Sequence, residues 1–252
     1  MAELVILSIV QGITEFLPIS SSAHLVLISN YFNFSNKSLT LDISLHLGSL
    51  LAIVFYFRLE FLNFIKNKEL FKKIILASIP ISILGYLLIK SDYINIFRTY
   101  SVIGWSTIVF GLILLLSDLK KTNKNITKNF NYKDAIIVGF FQSLSLISGA
   151  SRSGVTITGA RMLKYNRIDA AKLSFLTSIP VLILASAYNM QKIIIENRID
   201  ISIINILGIL FSFIFSFLTI KFFLKFLKKF SLRIFVIYRL ILGIIILFYV
   251  YN

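Results

Sequence analysis

The sequence predicts an all-α polytopic membrane protein: an inverted-topology repeat of six transmembrane helices plus two re-entrant helical hairpins. Three observations carry this expectation. Of the 252 residues, 57% are hydrophobic, 24 are Phe and only 15% are charged, too apolar a balance for a soluble domain. The apolar residues fall in runs close to the roughly 17–25 residues that cross a hydrocarbon core. Lys and Arg collect in alternate connections between those runs.

Six runs are unbroken and are expected to span: Leu41–Phe57, Ile74–Ile89, Tyr100–Ser117, Leu173–Ala187, Ile201–Ile220 and Ile234–Tyr251. Two further apolar stretches, 3–31 and 135–162, are interrupted. Pro18 and the serines after it break the first, and Ser148-Gly149 through Gly154 breaks the second. Lys plus Arg number five in 58–73, five in 118–134, three in 163–172 and five in 221–233. They number one in 31–40, two in 90–99 and two in 188–200. The basic set belongs in the cytoplasm. The two sets alternate only if each interrupted stretch starts and ends on one side. Both stretches therefore read as re-entrant hairpins, the first entering from outside and the second from the cytoplasm. Non-helical backbone at that depth is tolerated only where protein or water covers it.

A single membrane domain, 1–252, then divides into repeat one (1–117), a basic cytoplasmic linker (118–134) and repeat two (135–252) of opposite orientation. Internal similarity points the same way. Gln11 precedes Ser20-Ser21-Ser22 by nine residues, and Gln142 precedes Ser151-Arg152-Ser153 by nine. "ISLHLGS" (43–49) also loosely echoes "LSFLTS" (173–178). Such repeats place their site near the midplane, at the broken helices.

Composition also excludes classes. A net charge of +15 between apolar runs fits anionic headgroups and topology signals, and no nucleic-acid partner is expected. With no cysteine there is neither a disulfide framework nor a thiolate metal site. Met-Ala-Glu at the start lacks a basic n-region, so no cleaved signal peptide is expected.

In the first interruption Gln11 and Glu15 share a helix face. A carboxylate at membrane depth costs about 2.5–3.5 kcal/mol on insertion scales, so it faces a polar cavity. Pro18 ends the helix. Ser20, Ser21 and Ser22 supply hydroxyls, at least one of them as an N-cap. His24 falls on the face of Ser21, and a Ser–His pair within reach activates a nucleophile. In the second interruption Gly149 and Gly154 permit tight turns. Ser151, Ser153 and Thr156 add hydroxyls, and the following helix N-terminus attracts phosphate. Arg152 offers bidentate guanidinium to phosphate. No Walker pattern is present. Where the two tips meet, a carboxylate, a nucleophile, a base and a phosphate clamp are the parts of phosphoryl transfer. Apolar walls imply a substrate that carries a lipid.

These residues resemble the bacitracin-resistance family of undecaprenyl-diphosphatases, marked by (E/Q)xxxE before a proline and a serine run ending in His, and by PGxSRSxxT. The first motif reads Gln11 to Glu15, then Pro18, Ser20-Ser21-Ser22 and His24. The second reads Ser148-Gly149-Ala150-Ser151-Arg152-Ser153-Gly154-Val155-Thr156. "LHLGSLLA" (45–52), "FLTSIP" (175–180) and "IYR" (237–239) extend the likeness along the chain. The resemblance implies hydrolysis of undecaprenyl diphosphate to the monophosphate, recycling the lipid carrier for peptidoglycan synthesis and conferring bacitracin resistance. It implies a multi-pass protein of the bacterial cytoplasmic (inner) membrane, a divalent cation (Mg²⁺ or Ca²⁺), a polyprenyl diphosphate substrate among membrane lipids, and a homodimer. Carried onto this chain, the catalytic residues are Glu15, Ser21, His24 and Arg152, with Glu15 also the metal ligand. Gln11, Ser20, Ser22, Ser151, Ser153 and Thr156 would bind substrate. The site is expected to open to the outer face. Two departures stand out: Gln11 replaces a glutamate found in many members, and Ser148 replaces the motif proline. His46, Tyr238 and Arg239 form a second tier, with helix packing, interface aromatic and snorkelling as their ordinary readings. The rival class is transport, a polyprenyl-phosphate flippase or an enzyme that also flips its lipid, because broken midplane helices serve carriers too.

Overall fold

The computed structural model describes residues 2–32, 39–59, 68–91, 93–195 and 202–252. In chain order its helices begin with α1 (Ala2–Thr14), α2 (Ser21–Tyr31), α3 (Leu39–Tyr56), α4 (Lys68–Lys90) and α5 (Tyr100–Asp118). A single turn α6 (Ile126–Asn129) follows, then α7 (Tyr132–Ser143), α8 (Arg152–Met162), α9 (Arg167–Ile195), α10 (Ile203–Leu227) and α11 (Arg233–Tyr251). Among the described residues there is no β-strand; a lone bridge joins Lys124 to Tyr165. Six helices, α3, α4, α5, α9, α10 and α11, are long and apolar enough to cross a membrane. The chain is an all-α polytopic membrane protein, as its runs predict.

The two interrupted stretches are pairs of short helices. α1 and α2 have 13 and 11 residues, and α7 and α8 have 12 and 11. Each is short of the roughly 20 residues a span needs. Observed spans overrun the expected ones where polar residues continue the helix. α9 starts at Arg167, not Leu173, because Asn166 caps it, accepting from the Asp169 amide at 2.9 Å. The expected basic connection at 58–73, the basic-poor connections at 31–40 and 188–200, and the expected span start at Ile201 lie partly outside the described residues.

The basic connections gather at one end. Asp118, at the foot of α5, accepts both Nε and Nη2 of Arg167 at 2.7 and 3.0 Å and the Leu232 amide at 3.1 Å. Arg161 lies 3.4 Å from the same carboxylate and donates to the carbonyls of Tyr165, Asp118 and Lys120. Lys73 reaches the Phe130 carbonyl at 2.9 Å, and Tyr132 donates to Glu69 at 2.8 Å. The 135–162 stretch starts and finishes here too, since Tyr165 donates to Asp134 at 2.6 Å. The first stretch belongs to the opposite end. Leu4 and Leu7 of α1 pack with Leu41, Ile204 and Leu207, and Leu27 of α2 packs in the cluster holding Tyr100 and Val250.

Small residues let the long helices touch. A Cβ on Gly48 of α3 would sit 2.4 Å from the Ile209 carbonyl oxygen of α10. In the same seam Ser49 bonds Ser212 at 3.1 Å and Ser216 at 2.9 Å. Between apolar helices, close backbone approach and hydroxyl bonds supply the cohesion that hydrophobic contrast cannot. α1 packs against α10 through Gly12, and α7 packs against α4 through Gly139.

Candidate active site

The two helix breaks meet tip to tip. α1 ends at Thr14, whose hydroxyl turns back to the Val10 carbonyl at 2.7 Å, and Glu15 stands one residue beyond. Pro18 cannot extend the helix. The chain turns at Ser20, whose φ is +75°, and α2 begins at Ser21. The second break repeats this: Ser151 has φ +67°, and α8 begins at Arg152. Left-handed serines are uncommon and strained, and here they reverse the chain so that two helix N-termini face one point. Gly149, at φ +91°, makes the approach to α5 possible, since a Cβ there would lie 2.3 Å from the Ser106 hydroxyl.

Glu15 is the hub. One carboxylate oxygen accepts the Ser21 hydroxyl at 2.6 Å and the Gln11 amide at 3.1 Å. The other accepts Arg152 Nη2 across the two tips. The ion pair is largely desolvated, with side-chain exposures of 5% for Glu15 and 15% for Arg152. A polar cavity of about 70 Å³ lies beside it, walled by Thr14, Glu15, Ser20, Ser21, Ser22, Ser145, Ser151 and Arg152. Two buried groups are left over there: Gln11 Oε1 and Arg152 Nη1 have no partner among the described residues. Buried polar groups are rarely left so; Arg152 is on the cavity wall, and Gln11 is behind it.

Of the expected site residues, Glu15, Ser20, Ser21, Ser22, Ser151 and Arg152 come together on this cavity, and Gln11 stands behind Glu15. Ser153 does not line the cavity; its hydroxyl donates to the Leu17 carbonyl at 2.7 Å, lies 3.2 Å from the Ser151 hydroxyl, and so ties one tip to the other. Thr156 is fully buried and spends its hydroxyl on the Arg152 carbonyl at 2.7 Å, as threonines inside helices do. The expected Ser21–His24 pair is not formed. His24 Nδ1 donates to the Ser20 carbonyl at 2.6 Å, because a carbonyl can only accept, and Nε2 therefore accepts from the Tyr238 hydroxyl at 2.5 Å. His46 is outside the cavity, bonded to the Asp42 carbonyl at 2.9 Å.

Sequence reasoning missed Thr14 and Ser145 as walls, and it misjudged Arg239. That side chain does not snorkel; it is 0% exposed and points into the junction of the tips. Its sequence signals were its place in the "IYR" likeness and a charge inside an apolar run beside Tyr238, the partner of His24.

Fold and site together define a class: a multi-pass membrane protein with an acid, a hydroxyl and a guanidinium held where two broken helices cross. The chain belongs to the family described as Bacitracin resistance protein BacA, whose model matches residues 4–245. Among its relatives is a protein of Pelagibacter ubique (strain HTCC1062) named undecaprenyl-diphosphatase, 47% identical over 251 residues, covering 99% of this chain and 98% of the relative. Proteins of the same name from Elusimicrobium minutum and Saccharophagus degradans are 40% and 39% identical. They cover 96% and 95% of this chain, and 95% and 94% of their own lengths.

Proposed function

We propose that this chain is an integral membrane phosphatase that hydrolyses undecaprenyl diphosphate to undecaprenyl phosphate and phosphate, recycling the carrier for cell-wall synthesis and conferring bacitracin resistance. The relatives' shared name supports hydrolysis over transport. The carrying observation is the Ser21 hydroxyl donating to Glu15, whose other oxygen holds Arg152.

In the reaction we infer, Ser21 passes its proton to Glu15 and attacks the distal phosphorus. The bridging P–O bond breaks, and undecaprenyl phosphate leaves with the oxygen and its electron pair. Water then displaces Ser21 from phosphorus: Glu15 returns its proton to the departing serine oxygen as it takes one from the water, and it regains its charge when that last proton leaves with the products. Arg152 Nη1 and the free N–H groups that open α2 and α8 face the developing charge. Glu15 is the base in this scheme because both nitrogens of His24 are engaged elsewhere, so His24 shapes the Ser20 corner.

A divalent cation, Mg²⁺ or Ca²⁺, is part of the proposal. Among the described residues no three His, Cys, Asp or Glu side chains cluster. The donor set still fits a cation held chiefly by substrate phosphates, which needs only one or two protein oxygens. Glu15 and the unpartnered Gln11 Oε1 would supply them. When bound, the ion neutralises phosphate charge.

We further propose that the two short-helix pairs are re-entrant hairpins of an inverted repeat, in a homodimer of the bacterial inner membrane with its site toward the outer face. The opposite ends at which the pairs begin support the hairpins. Phosphate release from a prenyl diphosphate by detergent-purified protein tests the activity, with Arg152→Ala and Ser21→Ala as controls. Loss in both variants and a phosphoserine trapped at Ser21 are expected. Near-normal turnover by Ser21→Ala refutes the covalent step, and no release by the unaltered protein refutes the function.

A further inference from the structure

We propose that Arg239 is a positioning residue for this site: it fixes the Ala150–Ser151 peptide so that the Ser151 N–H faces the cavity and donates to substrate phosphate. This rests on the phosphatase reading above.

Arg239 is buried at 0% exposure inside a span, where a charge is costly and marks function. Its guanidinium meets backbone carbonyls only. Nε donates to Thr107 at 3.1 Å, Nη1 to Pro18 at 3.4 Å, and Nη2 to Gly149 and Ala150, each at 3.1 Å. No carboxylate pairs with it among the described residues. Pro18 and Gly149 each lie two residues before a left-handed serine, Ser20 or Ser151. One side chain thus pins the corners of both breaks.

Pinning a carbonyl also aims the amide behind it. In a trans peptide the C=O and the following N–H point in opposite directions, and no peptide among the described residues is cis. Three amides follow the pinned carbonyls of the two tips. Ile19 N–H is taken by Leu17 at 2.8 Å and Ala150 N–H by Ile147 at 3.1 Å. Ser151 N–H has no acceptor among the described residues. With the Ala150 carbonyl drawn to Arg239, that N–H is directed to the other side, where Ser151 and Arg152 wall the cavity. The unpartnered Arg152 Nη1 stands on the same wall. A fixed amide beside a guanidinium is a preorganised donor pair for a phosphate oxygen. Lysine at 239 would keep the charge but could not span four carbonyls.

The test uses the full chain in detergent, with inorganic diphosphate as probe. Arg239→Lys, eluting as a single folded species, is expected to lose about 10²-fold in kcat, the cost of one misplaced anion donor. Its inhibition constant for inorganic diphosphate should rise about tenfold, while the pH profile set by Glu15 stays in place. Unchanged turnover and unchanged diphosphate inhibition overturn the proposal. Because Arg239→Lys can fail to fold, the unaltered protein decides separately by hydrogen–deuterium exchange. At a diphosphate concentration that halves turnover, the Ser151 amide is expected to gain at least tenfold protection; no gain overturns the proposal. Failure of the phosphatase reading is distinct, since the unaltered protein would then release no phosphate from a prenyl diphosphate.

Discussion

Replacing Glu15 by Gln keeps the shape of the side chain and removes its charge. Two effects follow from its contacts. The Ser21 hydroxyl, 2.6 Å from the carboxylate, loses its proton acceptor. General-base catalysis contributes about 10²–10⁴-fold, or about 3–5 kcal/mol of barrier at about 1.36 kcal/mol per decade. Arg152 also loses its counter-charge in a place where the pair is 5% and 15% exposed. Removing one partner of a buried pair costs about 3–5 kcal/mol, and the partly exposed Arg152 puts this case near about 3. Phosphate release from a prenyl diphosphate should therefore fall at least about 10²-fold, and the thermal midpoint in detergent should drop. Glu15→Asp restores charge without reach, so stability should recover further than turnover. Turnover by Glu15→Gln within fivefold of the unaltered protein, with Ser21→Ala inactive, would show that the proton goes elsewhere and refute the reasoning.

Three further outcomes follow from contacts described above. Tyr238→Phe leaves His24 Nε2 without its donor 2.5 Å away, and since neither residue touches the cavity, KM should change little while kcat falls about tenfold, roughly the worth of one hydrogen bond in the barrier; steady-state kinetics separate the two. Gly139→Ala drives a Cβ to 2.5 Å from the Ala77 carbonyl oxygen, forcing α7 off α4 at about 1–3 kcal/mol, whereas at Gly85 the nearest atom is 3.4 Å away and alanine should be neutral, a contrast that unfolding midpoints report. Burial and the bond to Asp134 push the Tyr165 phenol well above its ordinary range. The folded chain therefore holds that proton more tightly than the unfolded chain, so the stability it confers is complete below pH about 10 and is lost as pH rises past that value. Midpoints measured from pH 8 to 11 should fall less steeply in Tyr165→Phe, which starts lower by about 1.5–3 kcal/mol for a bond to a carboxylate.

Much of this was legible because the signals were chemical contrasts. Glu15 and Arg152 are charges in apolar surroundings, and each needs a partner; the structure makes them each other's. The spans were readable from length and hydropathy, the basic end from Lys and Arg counts. What escaped depends on direction, which spacing alone does not give. His24 lies three residues from Ser21, yet one ring nitrogen is taken by the Ser20 carbonyl a turn back and the other by Tyr238. Thr156 falls within a motif, yet an interior threonine prefers its own helix carbonyl. Arg239 looked like a residue able to reach an interface, and only the packing of α11 against α5 shows that its reach is inward.

The matched corners at Ser20 and Ser151 carry one more consequence. Aligned on those corners, the position equivalent to Arg152 is Ser21, and the one equivalent to Glu15 is Leu146. The Glu15–Arg152 pair therefore joins two positions that are not equivalent, and the mirror-image pair of positions holds Ser21 and Leu146, with no charge at all. Two corners of the same shape thus carry a single ion pair between them, and that one-sided charge gives the cavity an acidic wall at Glu15 and a basic wall at Arg152.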